Sequence, residues 1–420
     1  MPSPLSQGRG RGRAQVLGRR NPTPCALDSL EPRCLLSATA AVVDGTLRVT
    51  GDDSGNAISV SPAPGAPAGA VTVTANGLSL GTFTNVSAID VQGGNGSDQL
   101  TAGAGLTQPV TLAGGNGDDS FLALSRATIL PGGGTDAFWA GQKTPVTLVG
   151  ATPVEAKRGI NRLPATFSAA PVSAQPNKPA LSAAAKDPRL TPNAISTAAF
   201  SSVPLFSPSG PTAADIHQGA LNDCYLLAAL GSVATTDPSL IYQTITDLGN
   251  GTYAVRIMHG KTAKYYDVDA DLPTTYGGDP AYAGLGDNSV LWVALIEKAF
   301  AIDRGGSYAK LDTGGWMGNV YTALGLTTKT VAANAYAKLA AALATGNAVT
   351  VSTNVRQSAT SPLVPNHAYT IESIQLDAKG RLLSMTLRNP WGLDGSAVGD
   401  EFTIGATDAR GLAAAAIGIA

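Results

Sequence analysis

Three glycine-rich loops, each closing on an aspartate and a large apolar residue, limit what the first third of this chain can become. They read GGNGSDQL from Gly93 to Leu100, GGNGDDSF from Gly114 to Phe121 and PGGGTDAF from Pro131 to Phe138. Glycine lets the backbone turn tightly and aim its carbonyls inward. The apolar residue two positions after each aspartate (Leu100, Phe121, Phe138) starts the next short strand and fills a core. Between the loops lie short β-prone runs such as Leu47-Arg48-Val49, Val71 to Thr74 and Val110 to Leu112, and Asn76-Gly77 marks a hairpin turn. Residues 39–150 are therefore expected to form an all-β domain of the β-roll or solenoid-like kind.

The loops resemble the nonapeptide G-G-x-G-x-D-x-U-x of calcium-binding parallel β-rolls. That resemblance implies a calcium ion between stacked loops, with Asp98, Asp119 and Asp136 supplying carboxylate oxygens to a hard cation. The copies recur about once per turn of a roll, so only one side carries the motif, and the third copy is imperfect. A calcium-free β-solenoid or small sandwich built on Gly-Asp turns is the alternative.

Residues 1–38 differ from the rest. Arg9, Arg11, Arg13, Arg19 and Arg20 make the start basic, and Leu30 to Ala38 reads LEPRCLLSA. No apolar run is long enough for an ordinary signal peptide. The LEPR string resembles an N-terminal sorting segment of large bacterial surface and secreted proteins, which implies an extracellular or cell-surface location; a basic tail on a cytoplasmic protein is the alternative. From 151 to 202 the chain is rich in Ala, Pro, Ser and Thr, and Pro153, Pro164, Pro171, Pro176, Pro179, Pro188 and Pro192 forbid a long helix. This stretch is expected to be an extended, disordered linker. The formal net charge of −2 gives no reason to expect a nucleic-acid or membrane-surface binder. No window approaches the roughly 18 consecutive apolar residues of a membrane span. Cys25, Cys34 and Cys224 make neither a disulfide framework nor a zinc site. Oligomeric state is not legible.

Near Pro204 the composition changes, and 203–420 reads as a second globular unit. Asp215 to Leu230 is DIHQGALNDCYLLAAL. Gly219 marks a loop, Asn222 or Asp223 can cap the following helix, and Cys224 falls in its first turn. Leu226, Leu227, Leu230 and Val233 give that helix a buried stripe. A cysteine there feels the positive end of the helix dipole, which favours the thiolate. The plainer alternative is a small buried apolar residue.

A thiolate mechanism needs an imidazole, and the chain has three: His217, His259 and His367. His217 is too close in sequence to swing onto Cys224. His259 sits at a hairpin tip in MHGK, where a histidine is ordinarily solvated. His367 opens an alternating strand that turns at Asp377 to Gly380 and returns to end at Asn389. In an antiparallel hairpin those two ends are neighbours. The Asn389 amide can then accept from the imidazole N–H and fix its tautomer, a Cys-His-Asn variant of the nucleophilic triad. Trp391 would limit water access.

Taken as a set, these residues resemble the calpain family of cysteine peptidases. The matching pieces are Pro204 to Phe206, Asp215-Ile216, Gln218 to Leu221, Asp223-Cys224, DADLP from Asp269 to Pro273, LWVALIEKAF from Leu291 to Phe300, His367 to Tyr369 and RNPWG from Arg388 to Gly392. The resemblance implies an α+β papain-like two-lobed peptidase core whose cleft takes an extended polypeptide. It implies that Gln218 donates to the oxyanion together with the backbone N–H of Cys224. It also implies a calcium site from Gly210, Asp215 and Glu297. A second family calcium site, after NPWG, is expected to be absent. Asn222 stands where the family has Gly, and Tyr225 where it has Trp. The C2-like and EF-hand-type domains of animal calpains are not expected.

The expected function is a calcium-dependent cysteine endopeptidase. Two alternatives stand beside it. One is a catalytically silent, calcium-stabilised surface protein. The other is a cysteine acyltransferase of transglutaminase type on the same triad.

Overall fold

The computed structural model describes residues 37–167, 187–354, 361–392 and 400–420. Most of the basic leader, the middle of the Pro-rich segment and residues 393–399, on which the expected absence of a second calcium site falls, lie outside them. Ser37–Ala420 forms one compact unit.

Its first part is an all-β solenoid of about four turns. Each turn contributes one strand to each of two sheets. Thr46–Gly51, Ala88–Asn95, Val110–Asn116, Ala127–Gly133 and Val146–Leu148 pair in parallel along one sheet. Ala57–Pro62, Gln99–Ala102, Ser120–Ala123, Ala137–Gly141 and Ile160–Leu163 do so along the other. Equivalent apolar positions stack in register. Val91 faces Leu112, which faces Ile129, and Leu100 faces Phe121, which faces Phe138. The Phe121 and Phe138 rings lie 5.7 Å apart, nearly parallel. Alternation along each strand sends one side chain inward and the next outward. The inward set makes a closed apolar column. At the corners successive backbones run against each other. Gly115 sits at φ 119°, and a side chain there would strike the Gly94 carbonyl of the preceding turn, so the glycine is required twice over.

The three motif aspartates link successive turns through their carboxyl groups. All three are fully buried. Oδ1 of each accepts the backbone N–H of the corresponding residue one turn earlier: Asn56 donates to Asp98, Asp98 to Asp119 and Asp119 to Asp136, each at 2.7 Å. Asp136 N–H in turn donates to Glu155 Oε1 at 2.8 Å. Glu155 also takes part in a capping box with Thr152 that starts the short helix Pro153–Arg158. The ladder therefore staples turn to turn and is closed by a helix cap. Among the described residues the second oxygens of Asp98 and Asp119 have no hydrogen-bond partner. They press towards Gly93 and Gly114, each beside one further carbonyl, from Gly114 and Pro131. No group of three His, Cys, Asp or Glu side chains placed to hold a metal occurs among the described residues.

Burial pushes these carboxyls up, to about 7 at Asp98, about 8 at Asp119 and about 9 at Asp136. An unfolded aspartate titrates near 3.9. Between that value and the folded one, the native state holds protons that the unfolded chain has lost. Their contribution is thus complete below about pH 4 and falls as pH rises towards 7–9. Asp119→Asn keeps the acceptor for the Asp98 N–H and removes the titration. The melting temperature of the wild type should drop relative to Asp119→Asn as pH is raised from 5 to 9. Parallel Tm–pH curves for the two proteins would contradict this reading.

The second part is α+β. Helices Cys224–Thr236, Pro238–Tyr242, Trp292–Asp303 and Met317–Leu324 pack with a three-stranded antiparallel sheet (Ile245–Asp247, Thr252–His259, Thr262–Asp269). A six-stranded antiparallel sheet follows, ordered Thr327–Ala332, Leu412–Ile419, Ala348–Thr353, Ala368–Leu376, Leu382–Arg388, Glu401–Ile404. The helix Tyr336–Ala344 packs against it. The helix opened by Cys224 is buried from Tyr225 to Ala234 without a break. It is a central helix enclosed on all faces rather than a surface helix with one apolar stripe.

The stretch expected as linker is folded at both ends. Pro153–Arg158 and Ile160–Leu163 finish the solenoid, the latter as its edge strand. Ser196–Ala199 pairs antiparallel with Asp271–Thr274 of the second part. Proline forbids a long helix but not a six-residue one that begins on it. The solenoid also docks directly on the α+β part. Leu122, Trp139 and Leu163 share an apolar cluster with Leu248 and Ala254. Trp139 Nε1 donates to the Tyr242 carbonyl at 2.9 Å. Asn161 Nδ2 donates to Gln243 Oε1 at 2.8 Å, and Arg158 pairs with Asp237 at the end of the Cys224 helix.

Candidate active site

The loop before Cys224 and the hairpin carrying His367 meet across a cleft of about 500 Å³. Gln218, Asn222, Cys224, Asp312 to Met317, His367 and Trp391 are among the residues that line it. A larger cavity of about 590 Å³ lies at the seam between the two parts, but no titratable side chain lines it.

Each element delivers its residue for a local reason. Asp377 accepts the N–H groups of Lys379 and Arg381 and so sets the hairpin turn. Thr370 then faces Arg388, which brings the residues just outside the strands, His367 and Asn389, together. His367 Nε2 lies 2.8 Å from Asn389 Oδ1. An amide oxygen only accepts, so Nε2 carries the hydrogen and Nδ1 is left to take a proton. Asn389 Oδ1 also accepts the Trp391 N–H at 3.2 Å. Trp391 and Tyr369 flank the imidazole, each with its ring centre 4.9 Å away. The Thr353 hydroxyl accepts the His367 N–H at 2.9 Å and fixes the backbone there.

Bonds between the helix and sheet hold the two sides in register. Thr370 Oγ1 donates to the Ala228 carbonyl at 2.7 Å, and Gln218 N–H donates to the Pro390 carbonyl at 2.7 Å. Gln218 Nε2 donates one hydrogen to the Leu221 carbonyl at 2.5 Å, leaving its second available to the cleft.

The electrostatics modify the expected thiolate. Burial pushes the Cys224 thiol up to about 11, although the Ala368 N–H works in the other direction. Burial likewise lowers His367 to about 4, against the Asn389 bond. Desolvation outweighs the helix dipole, which is worth about 0.3–1 kcal/mol at an exposed site.

Asn389→Ala removes the one interaction that raises the His367 pKa. It should lower kcat by roughly 10- to 100-fold, in line with the loss of an orienting partner. It should also shift the acid limb of the rate profile downward. Asn389→Asp places an anion beside the ring and should shift that limb upward. Identical acid limbs in all three proteins would contradict the pairing.

Each residue expected to hold calcium in this part has protein partners. Asp215 is fully buried, and its oxygens accept from Thr212 N at 2.9 Å, Trp292 Nε1 at 2.7 Å and Asn288 Nδ2 at 2.7 Å. The Gly210 carbonyl accepts the Ser207 hydroxyl at 3.1 Å. Glu297 accepts the Ala283 N–H at 3.1 Å and adjoins Asp223. Burial and the Asp223 carboxyl beside it hold Glu297 well above the usual carboxylate range. Burial lifts Asp223 to about 6. The two carboxyls thus sit together at the start of the Cys224 helix. Gly210, Asp215 and Glu297 are thus each engaged by protein donors in this structure.

Sequence reasoning missed several contributors. The Asp223–Glu297 pair joins positions far apart in the chain, and nothing local announces it. His259 is not merely solvated, because Nε2 meets Asp303 Oδ1 at 2.8 Å. Asp312, which anchors Asn222, carried no local signal either.

A sequence model described as calpain family cysteine protease matches residues 187–400. Human calpain-9 is 31% identical over 207 residues, which is 45% of this chain and 30% of that protein. The bovine calpain-2 catalytic subunit is 29% identical over 209 residues, 45% of this chain and 29% of that protein. Calpain clp-4 of Caenorhabditis elegans is 31% identical over 210 residues, with 45% and 29% covered. The chain thus spans about 30% of the length of the curated relatives it matches.

Proposed function

The chain belongs to the calpain family of cysteine proteases, and from that premise we propose that its α+β part is a papain-like cysteine endopeptidase acting through Cys224, His367 and Asn389. The observation that carries this reading is the His367–Asn389 bond of 2.8 Å on the wall of the cleft that Cys224 lines.

In the proposed mechanism an extended polypeptide enters the cleft. The Cys224 thiol passes its proton to His367 Nδ1 as Sγ attacks a peptide carbonyl. The oxyanion is met by the Cys224 N–H and the free hydrogen of Gln218 Nε2, two donors worth on the order of 10²–10³ in rate each. The carbon–nitrogen bond breaks, the leaving amine takes the proton from His367, and a thioester remains on sulfur. Water then gives a proton to His367 and attacks the thioester. The product leaves as a carboxylic acid and the thiol is restored. Asn389 holds the ring throughout.

Calcium enters no step. Where calcium acts on this protein it would act on the fold. Release at or outside the cell surface is proposed from the LEPR segment alone. Among the described residues no helix is long and apolar enough to cross a membrane.

Mass spectrometry of the products from an unstructured protein substrate tests the reading. Cleaved peptides with new free termini support it. Cross-linked or amine-substituted products without cleavage would favour acyl transfer instead, and no product at all would favour the silent fold.

A further inference from the structure

The wall of the cleft nearest the nucleophile carries one charge. Of the described residues that line it, Asp312 is the only acid, and there is no lysine or arginine among them. Asp312 follows the short 3-10 turn Tyr308–Lys310, and its N–H donates to the Tyr308 carbonyl at 3.1 Å. Its Oδ1 accepts both the backbone N–H of Asn222 at 2.9 Å and the Asn222 Nδ2 at 2.8 Å. Asn222 precedes the nucleophile by two residues, a reach of at most about 7 Å. The carboxylate is thus fixed on both sides, by its own turn and by the nucleophile loop. Among the described residues no hydrogen bond uses its Oδ2 and no cation pairs with it. Thr313, Gly314 and Gly315 continue the same wall with no charge of their own. Gly315 lies flat against the Tyr225 ring, where an added carbon would come within 2.6 Å of Cε2. An extended substrate passing along this wall therefore meets glycine backbone and then one anion.

We propose that Asp312 determines specificity, selecting substrates that carry a lysine or arginine side chain beside the scissile bond and rejecting those that carry glutamate or aspartate there. The inference rests on the peptidase reading above and narrows its substrate class. A fixed carboxylate in a cleft closed over by the substrate attracts a cation more strongly than one at an open surface, because less water lies between them. A like charge in the same place is repelled. Anchoring by Asn222 removes the need to order the carboxylate at each binding event.

The test uses the full chain and sets of peptides identical except for lysine, glutamine or glutamate at one position, scanned through three residues on either side of the cleaved bond. At one position kcat/KM should be about 5- to 10-fold higher for lysine than for glutamine, and lower again for glutamate. Asp312→Asn keeps the acceptor for both Asn222 donors and removes the charge. It should bring the lysine-to-glutamine ratio close to one, and the ratio cancels any general loss of activity. Raised ionic strength should shrink the wild-type ratio in the same direction. If the wild type cleaves the peptides with no such ratio at any position, or if Asp312→Asn leaves the ratio intact, the inference is overturned and the peptidase reading stands. If the wild type cleaves none of the peptides nor any unstructured protein, both fall.

Discussion

Cys224→Ala should lower kcat/KM for peptide hydrolysis by about 10⁴-fold or more while the protein keeps its melting temperature within a few degrees. Removing a nucleophile that acts as one unit with its base and orienter erases nearly all of their joint contribution, and what remains comes from binding and the oxyanion donors. A 10⁴-fold loss corresponds to about 5.5 kcal/mol of transition-state stabilisation. The fold should be spared because Cys224 is only partly buried at the first turn of its helix. The enclosed residues Tyr225 to Ala234 are untouched by the change. Circular dichroism and activity on one preparation check both halves of the statement. His367→Ala should lose a comparable amount. Substantial turnover by Cys224→Ala would place the nucleophile elsewhere and dissolve the mechanism.

The second large effect is structural. Trp139→Ala should destabilise the protein by roughly 3–5 kcal/mol. Trp139 is fully buried, its Nε1 donates to the Tyr242 carbonyl at 2.9 Å, and its ring meets Tyr265 edge-on at 6.1 Å. The substitution leaves a cavity and removes the donor from a buried carbonyl. Tyr242 ends the short helix that follows the Cys224 helix, so the damage crosses from the solenoid into the catalytic part. Loss of solenoid structure and loss of activity on heating should coincide in the wild type. In Trp139→Ala both should move to lower temperature together. A variant whose catalytic part melts at the wild-type temperature, with only the solenoid affected, would show the seam to be a passive contact.

Much of the candidate site was legible because its signals are local. A helix start after Asn222-Asp223, alternating strands around Asp377 to Gly380, and a chain with three histidines left few ways to assemble a nucleophile and a base. The solenoid was legible for the same reason, since its glycine corners and inward residues repeat. What was not legible depended on partners far away. The acceptors of the motif aspartates are visible in sequence, whereas their donors, N–H groups one turn earlier, are not. The ends of the Pro-rich stretch were misjudged because Ile160 and Leu163 become strand residues only against Phe138 and Gly141. Glu297 could be matched to a family position, but its actual neighbour Asp223 follows from how two helices pack. The burial that opposes charge on Cys224 and His367 is a quantity that only the folded cleft supplies.

All of this depends on the Cys224 sulfur being the atom that attacks a carbonyl, activated by an imidazole from the other side of the cleft. Incubation with an epoxide directed at cysteine peptidases, followed by intact mass and peptide mapping, addresses that point most directly. One adduct is expected per chain, mapped to Cys224, and its rate of formation should collapse in His367→Ala. Adducts confined to Cys25 or Cys34, or a Cys224 adduct that forms equally fast without His367, would contradict the account.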